Sequence, residues 1–242
     1  MSIVEEKKTV GKMVAEDYRK AEVFKKYGID FCCGGNISLS QACEEKRVNI
    51  DAVQAELDEI DSRQEPPEHD FESWELDMLV DHIVAIHHAY VRSANPTIRE
   101  FVNRVKMVHG MNKPNVSEIS DRFDALTEEL ELHMHKEEAI LFPYIKQLVA
   151  AKKTGDRVAA PFGSVQNPIN MMLHEHDSAG NEIEIIQKLT EDYTPPKGAC
   201  ATHRVSYAQL KEYADDLMRH IHLENNILFP RAIALEKELM GS

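Results

Sequence analysis

The chain has 242 residues and a formal charge of −14, from 28 lysines and arginines against 42 aspartates and glutamates. This sign disfavours binding to the phosphate backbone of nucleic acids, and no apolar run approaches the roughly 20 residues that a membrane helix needs. Since the start, MSIVEEKKTV, also lacks the pattern of a signal peptide, we expect a cytoplasmic protein that binds neither nucleic acid nor a membrane.

The first part of the chain, residues 1–65, is predicted to form a small helical domain. Apolar residues recur at helical spacing from Val10 onwards, and this helix is predicted to end at Gly28. A second helix is predicted to begin at Ser38, because SLSQ is typical of a capping box, and a third near Asn49.

A glycine-rich turn, DFCCGGN, separates the first two of these helices and contains Cys32 and Cys33. The Cα atoms of neighbouring residues are about 3.8 Å apart, so a disulfide between these two would be strained, and reduced thiols are expected. A glycine-rich turn is a poor place to bury two cysteines, which favours a reactive or metal-binding role for this pair. Cys43 and Cys200 show no such pattern.

The second predicted domain, residues 70–242, follows a break at Pro66 and Pro67. Four segments have helical periodicity: 74–94, 117–150, 167–191 and 203–238. Asn95-Pro96 is read as a connector, and a short additional helix is predicted at 97–109. These features predict an all-α fold with an antiparallel four-helix bundle.

A repeated motif occurs in the second and fourth segments, as HMHKEEAILFP and HIHLENNILFP. Residues four apart lie on one face of a helix, so one histidine and one glutamate of each copy fall in the apolar stripe. These inward residues are His133 and Glu137 in the first copy, and His220 and Glu224 in the second. His135 and His222 are rotated away and should point outward or toward a neighbour.

The other two segments also offer histidines. In the third, His176 lies within the apolar stripe and His174 outside it. In the first, the spacing of the apolar residues favours His87 as the inward residue and puts His88 roughly 100° away.

Two buried carboxylates on different helices are costly unless something compensates their charge. A pair of metal ions would do so, because each carboxylate can bridge two cations while each histidine supplies a neutral nitrogen. The pattern therefore predicts a two-metal site inside the bundle.

The two repeats, together with DHIVAIHH and LHEHDSAG, resemble the ligand motifs of hemerythrin-like di-iron bundles. With KYGIDFCCGGNISLSQAC in front, the chain is similar to the Repair of Iron Centers family over essentially its whole length. The register of that family implies His88 rather than His87 as the ligand of the first helix. The metal ligands implied by the resemblance are His88, His133, Glu137, His176, His220 and Glu224.

The resemblance implies a protein that repairs iron-sulfur clusters damaged by nitric oxide or oxidants, with two non-haem iron ions bridged by oxo and carboxylate groups. Damaged iron-sulfur proteins would be the partners, and nitric oxide or oxygen the small ligands. Cys32 and Cys33 would receive iron, accept an electron or contact the client. Pairing of two chains as a homodimer is left open.

Two alternatives remain at this point: an enzyme that reduces nitric oxide, and a hemerythrin-like module that only binds oxygen or nitric oxide. Within the repeats, His135, His222 and the residue beside each glutamate are predicted to be bystanders.

Overall fold

The computed structural model describes residues 8–63, 70–111 and 113–240. Over these ranges the chain is mainly helical and has no β-strand, apart from an isolated antiparallel bridge between Thr9 and Ser38. The all-α prediction is therefore confirmed. Pro66 and Pro67 lie outside the described residues, and the domain boundary predicted there stays a prediction.

Four short helices form the amino-terminal segment: α1 (Val10–Glu16), α2 (Lys20–Lys26), α3 (Leu39–Lys46) and α4 (Ile50–Ser62). The predicted capping box of α3 is confirmed, because the Ser38 hydroxyl accepts from the Gln41 amide and the Gln41 side chain accepts from the Ser38 amide. The Asn49 side chain accepts from two backbone amides at the start of α4. These caps satisfy amides that have no partner inside their own helix.

The single helix predicted from Val10 to Gly28 is wrong, because the structure divides it into α1 and α2. Asp17 has an extended backbone, with φ of −151° and ψ of 102°. Its carboxylate accepts from the backbone amide of Arg19 at 3.0 Å and from the Arg19 guanidinium at 2.6 Å. This local bonding competes with helical pairing and ends α1.

Four helical runs form the rest of the described chain, and three of them are interrupted by a short π-helical segment. The first run contains α5 (Leu76–His82), a π segment (Ile83–His88) and α6 (Ala89–His109); the second contains α7 (Pro114–Lys136), a π segment (Glu137–Leu141) and α8 (Phe142–Thr154); the third is α9 (Gln166–Leu189); the fourth contains α10 (Ala201–Leu223), a π segment (Glu224–Leu228) and α11 (Phe229–Met240). A 3₁₀ turn, Phe71–Ser73, precedes the first run.

The connector predicted at Asn95-Pro96, with a separate short helix after it, is wrong. Pro96 lies inside α6, which continues to His109. A proline in a helix removes one backbone hydrogen bond and costs about 3 kcal/mol. The buried face of α6, which includes Val91 and Ile98, packs against α7 and α10. Burying such a side chain contributes roughly 1.5–3 kcal/mol, so a few of them outweigh the proline.

Neighbouring runs pack side by side. The first contacts the second, the second contacts the third, and the fourth contacts both the first and the third. This arrangement closes the four-helix bundle that the sequence predicts. The amino-terminal segment packs on the fourth run, with α1 against α10 and the π segment after it. None of the described helices is both long enough and apolar enough to cross a membrane.

The buried apolar side chains form two clusters, which are separated along every helical run. One cluster joins the amino-terminal segment to one part of the bundle, and the other fills the remaining part. In the third run, Met172 belongs to one cluster and Ala179 to the other, with His176 between them. Buried polar side chains at the level of His176 form a layer between the two apolar clusters. This layer, called the polar layer below, contains the candidate site.

Candidate metal centre

Six side chains predicted as metal ligands meet in the polar layer, and each is at most 3 % exposed. They are His88, His133, Glu137, His176, His220 and Glu224. All four helical runs contribute to the set, so the complete bundle is needed to assemble it.

The six side chains form two overlapping groups of four. One group contains His88 and His220, the other contains His133 and His176, and both contain Glu137 and Glu224. Within each group, the candidate ligand atoms all lie within 4.8 Å of one another. Each carboxylate therefore faces histidines of both groups, as a ligand that bridges two cations must.

Glu137 lies between two histidines from different helical runs. Its Oε2 atom is 3.3 Å from Nε2 of His133 and 3.4 Å from Nε2 of His88. Burial, and then the charge of the neighbouring Glu224, raise the pKa of Glu137 well above its ordinary value. The surroundings of Glu137 in the described residues therefore disfavour its ionised form.

Glu224 has the matching position in the second repeat. Its Oε1 atom is 3.1 Å from Nε2 of His220, and its Oε2 atom is 3.2 Å from Nε2 of His176. Burial acts to raise the pKa of Glu224, but the neighbouring His220 and His176 outweigh it and hold the pKa well below its ordinary value. In both repeats the glutamate therefore lies between imidazole nitrogens from two helical runs.

These residues fit a pair of metal ions. Among the described residues, none of the four carboxylate oxygens of Glu137 and Glu224 has a hydrogen-bond partner of good geometry, although both side chains are fully buried. Buried polar groups without partners are rare, because each costs roughly 1–3 kcal/mol or more. Cations held between the carboxylate oxygens and the four imidazole nitrogens would compensate this cost.

Three of the four helical runs contain their π segment at the level of the site. The amide of Phe142 donates to the carbonyl of Glu137, and the amide of Phe229 donates to the carbonyl of Glu224, so each bond spans five residues rather than four. Pro143 then occupies the first turn of the next helix, where a missing amide is tolerated. The Ile-Leu-Phe-Pro part of each repeat therefore combines a π turn with core packing of its leucine and phenylalanine.

The π segment Ile83–His88 explains why periodicity favours His87, although the structure places His88 in the polar layer. The amide of Ala89 donates to the carbonyl of Val84, so this turn contains an extra residue relative to an α-helix. The extra residue rotates His88 into the polar layer. The His87 ring instead lies outside the layer, stacked on the ring of His220 with centroids 5.7 Å apart and planes at 8°.

Three of the four site histidines have a polar partner at Nδ1, the ring nitrogen that faces away from the two glutamates. Nδ1 of His88 lies 2.6 Å from a carboxylate oxygen of Glu138, which also accepts from the Arg92 guanidinium at 2.8 Å. Nδ1 of His133 lies 2.9 Å from Glu175, which is also paired with Lys136. Such contacts orient the ring and leave Nε2 free to bind a metal.

The third of these contacts joins His176 to Asn225, with Nδ1 2.7 Å from Oδ1 of the amide. Glu138 and Asn225 are the residues beside the two glutamates, so the prediction that they are bystanders is wrong. Their contacts cross from one helix to another, and the sequence spacing contains no signal for them. Glu175, directly before His176, was missed for the same reason.

Burial favours the neutral form of two of the site imidazoles. Burial, and then the charge of His220, lower the pKa of His88 to about 4. Burial likewise lowers the pKa of His133. It also acts to lower the pKa of His220, but Glu224 outweighs it and raises this pKa above its ordinary value. The hydrogen bond from His133 leads the causes that lower the pKa of Glu175 to about 2, so this carboxylate stays ionised beside the ring. A neutral imidazole with a free Nε2 is the form that binds metal.

The remaining histidines of the motifs lie outside the layer. His135 and His174 are exposed. His222 faces a neighbour, as one of its two predicted outcomes requires, and is buried against the rings of Phe31 and Tyr18 in the amino-terminal segment. His87 places Nδ1 2.9 Å from a carboxylate oxygen of Asp216.

The cysteine turn lies directly on the bundle. Sγ of Cys33 is 3.5 Å from the carbonyl oxygen of His176, and the Asn225 amide donates to the carbonyl of Cys32 at 3.2 Å. Both cysteines are free; Cys32 is buried and Cys33 partly exposed. Asp30 accepts from the amides of both cysteines, at 2.9 and 3.0 Å, and thereby shapes the turn.

The two thiols are close to each other, with their Sγ atoms 3.7 Å apart. The contact with Cys33 and then burial raise the pKa of Cys32 well above its ordinary value, so its thiol stays protonated in the docked turn. One Asp30 oxygen and both sulfurs form a further group of potential metal ligands. Cys43 is buried in α3, and Cys200 is exposed at the start of α10.

Comparisons with known proteins agree with this arrangement. A family model described as the hemerythrin HHE cation binding domain matches residues 78–232, and a domain of unknown function (DUF542), ScdA_N, matches residues 6–61. Iron-sulfur cluster repair proteins YtfE of Salmonella paratyphi B, Salmonella newport and Escherichia coli O81 are each 39 % identical to this chain over 228 residues, which cover 94 % of it and 97 % of each relative.

The chain belongs to the YtfE family of iron-sulfur cluster repair proteins. The resemblance to the Repair of Iron Centers family is thereby confirmed. In this chain, all six buried side chains of the layer fall within the part that matches the cation-binding domain, and the cysteine turn falls within the part that matches DUF542. The hemerythrin match and the two His/Glu groups together indicate metal binding.

Proposed function

We propose that this protein repairs iron-sulfur clusters that nitric oxide or oxidants have damaged, using a pair of non-haem iron ions in the polar layer. The observation that carries the proposal is the pair of buried carboxylates, each within 3.4 Å of histidines from two helical runs. Repair is the activity named for the YtfE relatives that match nearly the whole chain.

The donor set supports two iron ions. His88 and His220 would hold one ion and His133 and His176 the other, while Glu137 and Glu224 would bridge them. Four imidazole nitrogens with two carboxylates suit iron, and this set is richer in nitrogen than the carboxylate-rich ferritin-like sites. When bound, the pair supplies one-electron redox chemistry and exchangeable iron.

The protein's own residues would control this chemistry in three ways. The apolar clusters on either side of the layer exclude bulk water, and Glu138 and Glu175 keep their imidazole partners oriented. Cys32 and Cys33, next to His176, would receive iron, accept an electron or contact the client.

A damaged iron-sulfur protein is the proposed partner, with nitric oxide or oxygen as small ligands of the site. We propose that the protein acts in the cytoplasm, because adjacent free thiols persist in a reducing compartment. The charge of −14 supports the expectation that nucleic acid is not a partner.

The test is repair of a [4Fe-4S] dehydratase that has been inactivated with nitric oxide. Iron-loaded protein should restore its activity, and His220→Ala, which removes a buried ligand, should restore little. The matched control is His174→Ala, which removes an exposed histidine of α9 and should repair as well as the parent.

Other results would favour the alternatives. Catalytic formation of nitrous oxide without recovery of the dehydratase would support a nitric oxide reductase. Ligand binding without either activity would support an oxygen- or nitric oxide-binding module. If a Cys32→Ala, Cys33→Ala protein repairs as well as the parent, the thiols have no role in repair.

A further inference from the structure

Asn225 touches the metal centre and the cysteine turn with the two ends of one side-chain amide. Its Oδ1 atom lies 2.7 Å from Nδ1 of His176, and its Nδ2 atom donates to the carbonyl oxygen of Cys32 at 3.2 Å. The two contacts join residues 49 and 193 positions away in the chain. This single side chain therefore connects α9 to the amino-terminal segment.

The orientation of this amide depends on the proton of the imidazole. An amide oxygen only accepts hydrogen bonds and an amide NH₂ group only donates them. With Oδ1 toward the ring, Nδ1 of His176 must carry the proton, which leaves Nε2 with a free lone pair directed toward Glu224. This is the tautomer that a metal bound at Nε2 requires.

The other tautomer would break the connection. With the proton on Nε2, Nδ1 of His176 becomes an acceptor, and the Asn225 amide must turn its NH₂ group toward the ring. Oδ1 would then face the carbonyl oxygen of Cys32, and two acceptors repel each other. The ring lies parallel to that of Phe229, with centroids 5.9 Å apart and planes at 3°, and a 180° flip within that plane would put a carbon rather than a nitrogen opposite Asn225.

We propose that Asn225 is a positioning residue that couples metal loading at His176 to docking of the turn that contains Cys32 and Cys33. Metal at Nε2 selects the tautomer that keeps the Asn225 amide bonded to the Cys32 carbonyl, and so holds the turn closed over the thiols. Loss of the metal frees the other tautomer and lets the turn open. The inference rests on the proposed metal site and adds a regulation of the thiols.

The coupling is reciprocal, as thermodynamic linkage requires. If metal favours the closed turn, the closed turn must favour retention of the metal by the same factor. A partner protein that draws the turn away would thereby weaken metal binding at His176. Release of the metal would then be linked to engagement of the thiols.

Asn226 provides a matched control for Asn225. Its Nδ2 atom also donates to the carbonyl of Cys32, at 3.2 Å, and to that of Phe31. The same atom also lies 3.1 Å from Nδ1 of His222, which is outside the metal cluster. Removal of Asn226 should loosen the turn without changing how strongly the turn responds to metal.

The experiment measures alkylation of Cys32 by iodoacetamide, resolved by fragment mass spectrometry, in full-length protein with and without two equivalents of ferrous iron under anaerobic conditions. Cys32 is 5 % exposed, so its modification reports opening of the turn. In the parent, iron should slow alkylation about fivefold, the change expected from one hydrogen bond. Iron bound is measured in the same samples.

Three variants test the connection. Asn225→Ala should abolish the difference between loaded and unloaded protein. Asn225→Asp should also abolish it, because a carboxylate still accepts from the His176 ring but cannot donate to Cys32. Asn226→Ala should speed alkylation in both states and keep the fivefold ratio.

The outcomes separate this inference from the proposed function. If iron binds and still protects Cys32 in Asn225→Ala, the protection comes from iron on the thiols themselves and the coupling is refuted. If iron binds to the parent without slowing alkylation, the coupling is refuted while the metal site stands. If the parent binds no iron, both proposals fail.

Discussion

Nε2 of His88 lies 3.2 Å from Nε2 of His220, although the two residues are 132 positions apart in the sequence. A regular α-helix would turn His87 toward the site instead. The π segment Ile83–His88 supplies the extra residue that brings His88 to the layer. The π segment therefore determines which of the two neighbouring histidines can reach the proposed metal site.

The buried carboxylates should make metal-free protein less stable than it would be without them. Glu137→Gln removes a charge that burial and Glu224 disfavour, so it should stabilise metal-free protein by about 1–2 kcal/mol. This corresponds to a rise in Tm of roughly 2–8 °C. The same change should lower the number of metal ions bound. Thermal unfolding of chelator-treated and iron-loaded protein checks both effects.

Glu236→Gln is the control for this trade-off. Glu236 is also buried, but it accepts from the Tyr144 hydroxyl at 2.7 Å, from the Val165 amide at 2.8 Å and from the Ser164 hydroxyl at 2.7 Å. Its replacement should destabilise the protein with or without metal. Equal destabilisation by both variants in the metal-free state would refute the argument about Glu137.

Glu175→Gln should weaken metal binding although Glu175 is not a ligand. The carboxylate accepts from Nδ1 of His133 at 2.9 Å and thereby orients the ring. Loss of such a partner typically reduces metal affinity 10- to 100-fold. Competition with a chelator of known affinity measures the change. Glu182→Gln on the same helix weakens a partly buried ion pair with Arg122, away from the site, and should bind metal normally.

His203 should make metal-free protein less stable in acid. Burial, and then the charges of His109 and Lys113, lower its pKa, so the unfolded chain takes up a proton more readily than the folded one. The contribution of neutral His203 to the free energy of unfolding is present above the unfolded pKa of about 6.5 and is lost as the pH falls below that value. In urea unfolding between pH 7.5 and 5, His203→Gln should flatten the acid side of the profile. An unchanged slope, or the same flattening by the exposed His174→Gln, would contradict this account.

Gly11→Ala should destabilise the protein although alanine is the better helix former. A Cβ atom at Gly11 would lie 2.1 Å from Oδ1 of Asn226 and 3.2 Å from the carbonyl oxygen of Gly35. In an open helix the same change stabilises by roughly 1 kcal/mol. We expect a lower urea midpoint and faster proteolysis of the amino-terminal segment. A stabilised variant would show that α1 does not pack tightly on the fourth run.

Much of this structure could be predicted from the sequence because helical periodicity and capping are local. The repeats also identify His133 and His220, since both lie where the period requires apolar residues. The π turns could not be predicted, because the period assumes a regular helix. The contacts of Glu175 and Asn225 could not be predicted either, since they depend on how one helix faces another.

The most direct test of the metal site is the metal content of the full-length protein after anaerobic purification and loading with iron, together with its absorption spectrum after oxidation. We expect two iron ions per chain and near-ultraviolet bands typical of a coupled ferric pair. The His220→Ala variant should lose these bands, whereas His174→Ala should keep them. A single zinc ion, or no bound metal after loading, would refute the proposed di-iron site.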